Sequence, residues 1–259
     1  MKKLTLFFAL LLCVTCIAVA QLKLYVYQND GTRTEFVAST VDSIAFSTIA
    51  NPDQPDDPVK PVDPTNGYEY VDLGLPSGTL WATMNVGATS PEDYGDYFAW
   101  GETVPKAIYS WSTYKLCNGS ITTLTKYCIN SYYGDVDNKT VLDLSDDAAN
   151  ANWGGNWRIP TNAEQDELSN TSYTTWTWTT LNGVKGCKVT SKTNGNSIFL
   201  PAAGYRVGSN LVDAGSYGYY WDSSLYTDCS EVAYRWGLGS GSSFTSRDYG
   251  ISVRPVMSK

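Results

Sequence analysis

The chain has 259 residues, 42% hydrophobic and 14% aromatic, which excludes a disordered chain and leaves room for one large or two modest domains. Asp plus Glu outnumber Lys plus Arg by 26 to 18, a net charge of −8, and no basic face is clustered, so a phosphate backbone is excluded as a partner and no nucleic acid is expected. There is no histidine, so imidazole acid–base catalysis, Ser-His and Cys-His nucleophile pairs and His metal sites are excluded too.

Residues 1–20, MKKLTLFFALLLCVTCIAVA, have the layout of a cleaved leader. Lys2 and Lys3 precede an apolar run from Leu4 to Thr15, and Ala18-Val19-Ala20 supplies the small-x-small site. The run is shorter than the roughly 20 residues that span a bilayer, and no second one follows. Cys13 and Cys16 raise a lipoprotein signal as the rival, but Leu12 and Thr15 stand where lipidation wants a small residue. We expect export, a mature chain from Gln21, and no transmembrane segment once the leader is gone.

Residues 21–48 read as a small β module. Leu22, Leu24 and Val26 alternate with Lys23, Tyr25 and Tyr27, Asn29-Asp30-Gly31 is a turn signal, and Thr34–Val37 and Val41–Phe46 offer further strands. Residues 49–66, IANPDQPDDPVKPVDPTN, form a Pro/Asp-rich linker, because proline lacks the N–H that a ladder or helix needs. Gln54-Pro55-Asp56 coincides with a tripeptide of calcium-dependent lectins and is read as spacer.

Residues 67–259 form the main domain, with all nine tryptophans and every tyrosine except Tyr25 and Tyr27. Two short helices are expected: Asp143–Ala151, capped by Ser145, and Thr161–Leu168, where Thr161 and Glu164 match a capping box. Strands are expected over Tyr70–Leu73, Leu80–Met84, Tyr97–Trp100, Trp176–Leu181, Cys187–Ser191, Ser197–Pro201, Tyr219–Ser223, Val232–Leu238 and Ile251–Val256. Few helices among many strands give an α+β class. Four cysteines follow the leader, Cys117, Cys128, Cys187 and Cys229. Export makes pairing the default, with three connectivities open. The short loop favours Cys117–Cys128, which leaves Cys187–Cys229.

Six stretches stand in a recognisable order: YVDLGLPSGTLWATMNVG from Tyr70, YFAWGET from Tyr97, NWGGNWRIPTNAEQDEL from Asn152, SIFLPAAGYR from Ser197, YYWDSSL from Tyr219 and SVRPV from Ser252. They resemble the bacterial major-paralogous-domain (FISUMP-type) family of secreted and surface proteins, close to Lcl C-terminal-like domains. The resemblance covers nearly all of 67–259, and Val41-Asp42-Ser43-Ile44 is similar to an N-terminal module common in such proteins. It implies a C-type-lectin-like fold, shared with formylglycine-generating enzymes and the variable proteins of diversity-generating retroelements. In that fold the first and last strands pair and the surface near the C-terminus binds ligand.

The acidic pairs Asp93/Asp96, Asp135/Asp137, Asp146/Asp147 and Glu164/Glu167 could in principle hydrolyse a glycoside, but they read as solvated faces or helix-end charges. Gly134-Asp135-Val136-Asp137-Asn138 could hold a structural calcium ion and reads as a turn. No metal or cofactor is expected. Trp176 and Trp178 share a strand face, as two buried rings or as a sugar shelf. Strand parity puts Val232, Tyr234, Trp236 and Leu238 inside and Ala233, Arg235 and Gly237 outside. The family resemblance puts Trp221 and Tyr219 inside, with Tyr220 and Asp222 outside. Residues 239–250 read as a flexible loop carrying Phe244, Arg247, Asp248 and Tyr249, either as a recognition surface or with Phe244 tucked onto the domain.

The expected protein is an exported or cell-surface, non-enzymatic, adhesin-like binder of an unknown glycan or protein. Its ligand surface is made by Tyr220, Asp222, Tyr226, Arg235, Phe244, Arg247 and Asp248. Its rivals are a structural subunit of a surface fibre, with residues 21–48 adding a strand, and an unrecognised carboxylate-dependent hydrolase.

Overall fold

The computed structural model describes residues 23–27, 33–37 and 63–259, and the chain divides into two units, residues 1–60 and 61–259. The leader, the turn at Asn29-Asp30-Gly31, the third strand at Val41–Phe46 and most of the linker, Gln54-Pro55-Asp56 included, lie outside the described residues. In the first unit, β1 (Lys23–Tyr27) and β2 (Arg33–Val37) pair antiparallel with Leu24 opposite Phe36.

The second unit is mixed α+β, mostly strand, with two short helices. Strands β3 (Tyr70–Asp72), β4 (Leu80–Ala82) and β15 (Val256–Met257) make a three-stranded sheet in the order β15-β4-β3. A second such sheet is β6 (Thr174–Leu181), β7 (Val184–Ser191) and β8 (Ser197–Pro201). β6 and β7 meet at Asn182-Gly183, both at positive φ (47° and 87°), the turn whose twist suits a two-residue hairpin. The largest sheet runs β13-β12-β11-β14-β5, from Gly241–Ser246, Val232–Gly237, Tyr219–Leu225, Ile251–Ser252 and Tyr97–Phe98 respectively. β9 (Tyr205–Val207) and β10 (Asn210–Val212) form a separate hairpin.

Helix α2 (Asn162–Ser169) is capped as expected. The Thr161 hydroxyl accepts from the Glu164 amide and the Glu164 carboxylate accepts from the Thr161 amide. Glu164 also holds Arg158 through two short contacts of 2.6 and 2.7 Å. Helix α1 (Ala148–Trp153) corrects the expected cap. Leu144–Asp146 winds as a separate 3-10 turn, and the cap is the buried Asp147, not Ser145; its carboxylate accepts from Ala149, Asn150 and Ile159 amides. The single strand expected over Ile251–Val256 is two. Pro255 lacks an amide hydrogen, and the chain leaves the large sheet after Ser252 and joins β4 at Val256.

Two cores lie on opposite faces of the β11–β12 pair. Trp221, Leu225 and Ala233 pack with Phe98, Trp100, Trp153 and Trp157. Tyr220 and Trp236 pack with Trp81, Val189 and Leu200. Trp221 and Trp236 are buried as expected, but on opposite faces, because Tyr220 pairs with Trp236 and Trp221 with Arg235. Both faces of the pair are covered, so Tyr220 and Asp222 on one and Ala233 and Gly237 on the other, all expected outside, are buried. Residues 239–250 are not a loop either. Their core is β13, paired residue for residue with β12 from Val232–Ser246 to Gly237–Gly241.

The expected bridges Cys117–Cys128 and Cys187–Cys229 do not form, and all four cysteines are free. Each thiol is held in its own surroundings. Cys117 Sγ donates to the Trp111 and Tyr114 carbonyls, Cys128 Sγ to the Asn130 carbonyl, and Cys229 Sγ meets the Tyr133 hydroxyl at 3.1 Å. Cys187 packs in the second core, where burial pushes its thiol up to about 11. Among the described residues no helix is long and apolar enough to cross a membrane.

Candidate functional site

The seven residues expected to form one surface fall into three groups. Tyr220, Asp222, Arg247 and Asp248 are interior. The Tyr220 hydroxyl donates to the Pro201 carbonyl at 2.7 Å. Asp222 accepts from the Ser224 amide at 2.8 Å and from Asn162 Nδ2 at 3.3 Å; burial pushes its carboxyl up to about 7. Arg247 donates to the Tyr114 hydroxyl and to the Lys126, Tyr127 and Ser230 carbonyls at 2.9–3.0 Å, and its guanidinium lies 4.9 Å from the Trp100 ring. Asp248 accepts from the Ser246 hydroxyl, and burial raises its carboxyl. These four hold the fold together and are not available to a ligand.

Tyr226 and Phe244 form the second group. Their rings stack at 4.2 Å, Tyr226 meets Tyr234 edge-on at 5.3 Å, and Phe244 is 48% exposed. Phe244 sits opposite Tyr234 in the ladder, on the sheet face that also holds Trp236. Arg235 is alone in the third group. Being one residue from Tyr234 and Trp236, it points to the other face, the one that carries Tyr219 and Trp221. Tyr226, Phe244 and Arg235 therefore do not make one surface.

Arg235 instead lines a pocket of about 140 Å³ with Tyr205, Asp213, Tyr219, Thr245, Tyr249 and Ile251. Each residue comes from a different segment: β9 brings Tyr205, the turn after β10 brings Asp213 at φ 61°, β11 and β12 bring Tyr219 and Arg235, β13 brings Thr245, and the connection to β14 brings Tyr249. Tyr205 and Tyr249 stack at 5.6 Å with planes 9° apart, and Tyr205 meets Tyr219 edge-on, also at 5.6 Å. The Arg235 guanidinium lies over the Tyr219 ring, 4.1 Å from its centre. Its Nη1 is shut off from water and bonds no acceptor. Burial lowers its pKa, and the only groups that oppose the shift are the Tyr219 and Tyr205 phenols, not a carboxylate.

A second concavity, of about 420 Å³, lies between Val71, Thr83 and Pro91 and the outer face of the β6–β8 sheet at Thr179, Lys188, Ser197 and Phe199. Asn182 Nδ2 donates to Glu92 Oε1 at 2.7 Å nearby. The tryptophan pair on β6 separates: Trp176 packs on Trp236 at 4.5 Å, whereas Trp178 stays 48% exposed. None of the acidic pairs singled out in the sequence lines either concavity. Asp137 of the Asp135–Asn138 turn is engaged by the Tyr127, Cys128 and Lys139 amides. Among the described residues no group of three or more acidic or cysteine side chains is placed to hold a metal.

No family model, curated protein or solved structure matches this chain. Tyr205, Asp213 and Tyr219 were missed in the sequence. They are far apart along the chain, and no local spacing announces that β9, β11 and the β13–β14 connection converge.

Proposed function

We propose that this is an exported or cell-surface ligand-binding protein without catalytic activity, adhesin-like, whose residues 67–259 adopt a C-type-lectin-like fold of the major-paralogous-domain type. Support for the fold comes from the six sequence stretches and from the pairing of β15 with β4, which brings the late Val256–Met257 beside the early Leu80–Trp81. The observation that carries the function is the tyrosine pocket with its disengaged guanidinium. An arginine held against an aromatic wall with no acceptor of its own is an unfinished hydrogen-bonding site, and tyrosine and arginine are the residues that dominate recognition surfaces.

The test is a binding screen of the full mature chain against glycan and host-protein arrays, with Arg235→Ala in parallel. A ligand retained by the native chain and lost by Arg235→Ala supports the reading. Turnover of an arrayed glycan, or ligands whose binding ignores Arg235, would count against it.

A further inference from the structure

We propose that the tyrosine pocket takes the carboxylate of a terminal acidic monosaccharide; this rests on the ligand-binding reading above and names its ligand class. A comparison with two fully buried arginines, Arg247 and Arg254, shows why. Arg247 and Arg254 each direct their guanidinium N–H groups onto protein oxygens, in Arg254 the Asn85 side chain and the Ala82 and Phe199 carbonyls at 2.9–3.0 Å. Arg235 directs none among the described residues; its Nη1 is sealed and unpaired, and its guanidinium lies over the Tyr219 ring. A guanidinium is a rigid fork of five donors that matches a carboxylate in bidentate fashion; with Nη1 closed off, the edge that Arg235 offers a ligand is the one formed by Nε and Nη2.

The rest of the pocket selects a sugar as the carrier. Tyr205, Tyr219 and Tyr249 supply flat aromatic walls, while Asp213 and Thr245 supply the acceptor and hydroxyl that sugar hydroxyls pair with. At about 140 Å³ it holds the volume of only four or five waters at ~30 Å³ each, so it takes one end of a ligand, not a run of saccharides. The chain's net charge of −8 repels a polyanion and tolerates one anionic group delivered to one cation.

The probe is methyl β-D-glucuronide, compared with methyl β-D-glucoside by calorimetric titration of the full mature chain, with an N-acetylated dipeptide bearing a free C-terminus as a third arm. The glucuronide should bind at least about tenfold tighter than the glucoside. Arg235→Gln should bring it down to the glucoside level, Arg235→Lys should keep part of the preference, and Phe244→Ala, on the other sheet face, should leave it unchanged. Melting curves of the Arg235 variants show that they are folded, and Arg235→Lys keeps the test decisive if Arg235→Gln is not. Equal binding of the two sugars, survival of the preference in Arg235→Gln, or tighter binding of the dipeptide would overturn the proposal. Array ligands that depend on Arg235 but are neutral would sink this assignment alone and leave the binding function standing.

Discussion

Arg235 within β12 and Arg247 just after the neighbouring β13 carry the same side chain, yet they do opposite work. Arg247 is fully buried and stitches Tyr114, Lys126, Tyr127 and Ser230 together. Arg235 is half-buried, lies on a tyrosine and engages no acceptor. The difference teaches where a buried cation is structure and where it is a site: what decides is whether protein oxygens complete its hydrogen bonds, not how deeply it sits.

Removing an interior guanidinium should break that comparison most visibly. Arg247→Met or Arg254→Met leaves three or four buried oxygens without donors, which should cost roughly 3–5 kcal/mol in denaturant melts. Trp236→Ala empties a buried site in the second core and should cost a similar ~3–5 kcal/mol.

Asp222 sharpens the comparison from the acidic side, as a buried carboxyl whose partners are amide groups and not a cation. Its pKa rises from the ordinary 3.8 to about 7 in the folded chain. The folded state therefore holds the proton longer than the unfolded one, and the stability this gives is complete below about pH 4 and lost as pH rises through about 7. Asp222→Asn should melt higher than the native protein at pH 8, by up to roughly 4 kcal/mol, less so at pH 5, and close to it below about pH 4. A difference that does not change with pH would show that Asp222 is already ionised in the fold.

The smallest stability effects belong to the site itself. Arg235→Ala removes one cation–ring contact and one unpaired donor together, so the net change should stay within about 1 kcal/mol while ligand is lost. Phe244→Ala, at 48% exposure, should shift stability by about 0.5 kcal/mol or less. An Arg235→Ala variant that unfolds as Arg247→Met does would erase the distinction between the two arginines.

These contrasts also explain what could be read from the sequence. Helix α2 was legible because its signals are local: Thr161 and Glu164 are three residues apart, and the cap forms between them. Most strands were legible for the same reason, since alternation is a property of neighbours, but the short β9 and β10 were not expected. Parity could say that Tyr220 and Asp222 share a direction opposite to Trp221; it could not say that Tyr220 would meet Pro201 across a second layer. β13 was missed because GSSFTS offers one hydrophobic residue, and it is strand through its ladder to β12 and not through its own composition. The tyrosine pocket was illegible because each of its residues arrives from a different element.

The route of residues 251–257 has a consequence for how the domain comes together in time. β14 inserts between β11 and β5, and β15 then lies beside β4. Two sheets built from early and late parts of the chain are therefore both incomplete until this one segment is in place. Most of the pairings it makes join residues far apart in sequence, which is the pattern of slow folding. It also leaves no stage at which one core is finished without the other: Ile251 and Val253 belong to the first and Val256 to the second. Amide protons of β4 and β11 should accordingly exchange together, at a single rate set by the opening of that short run.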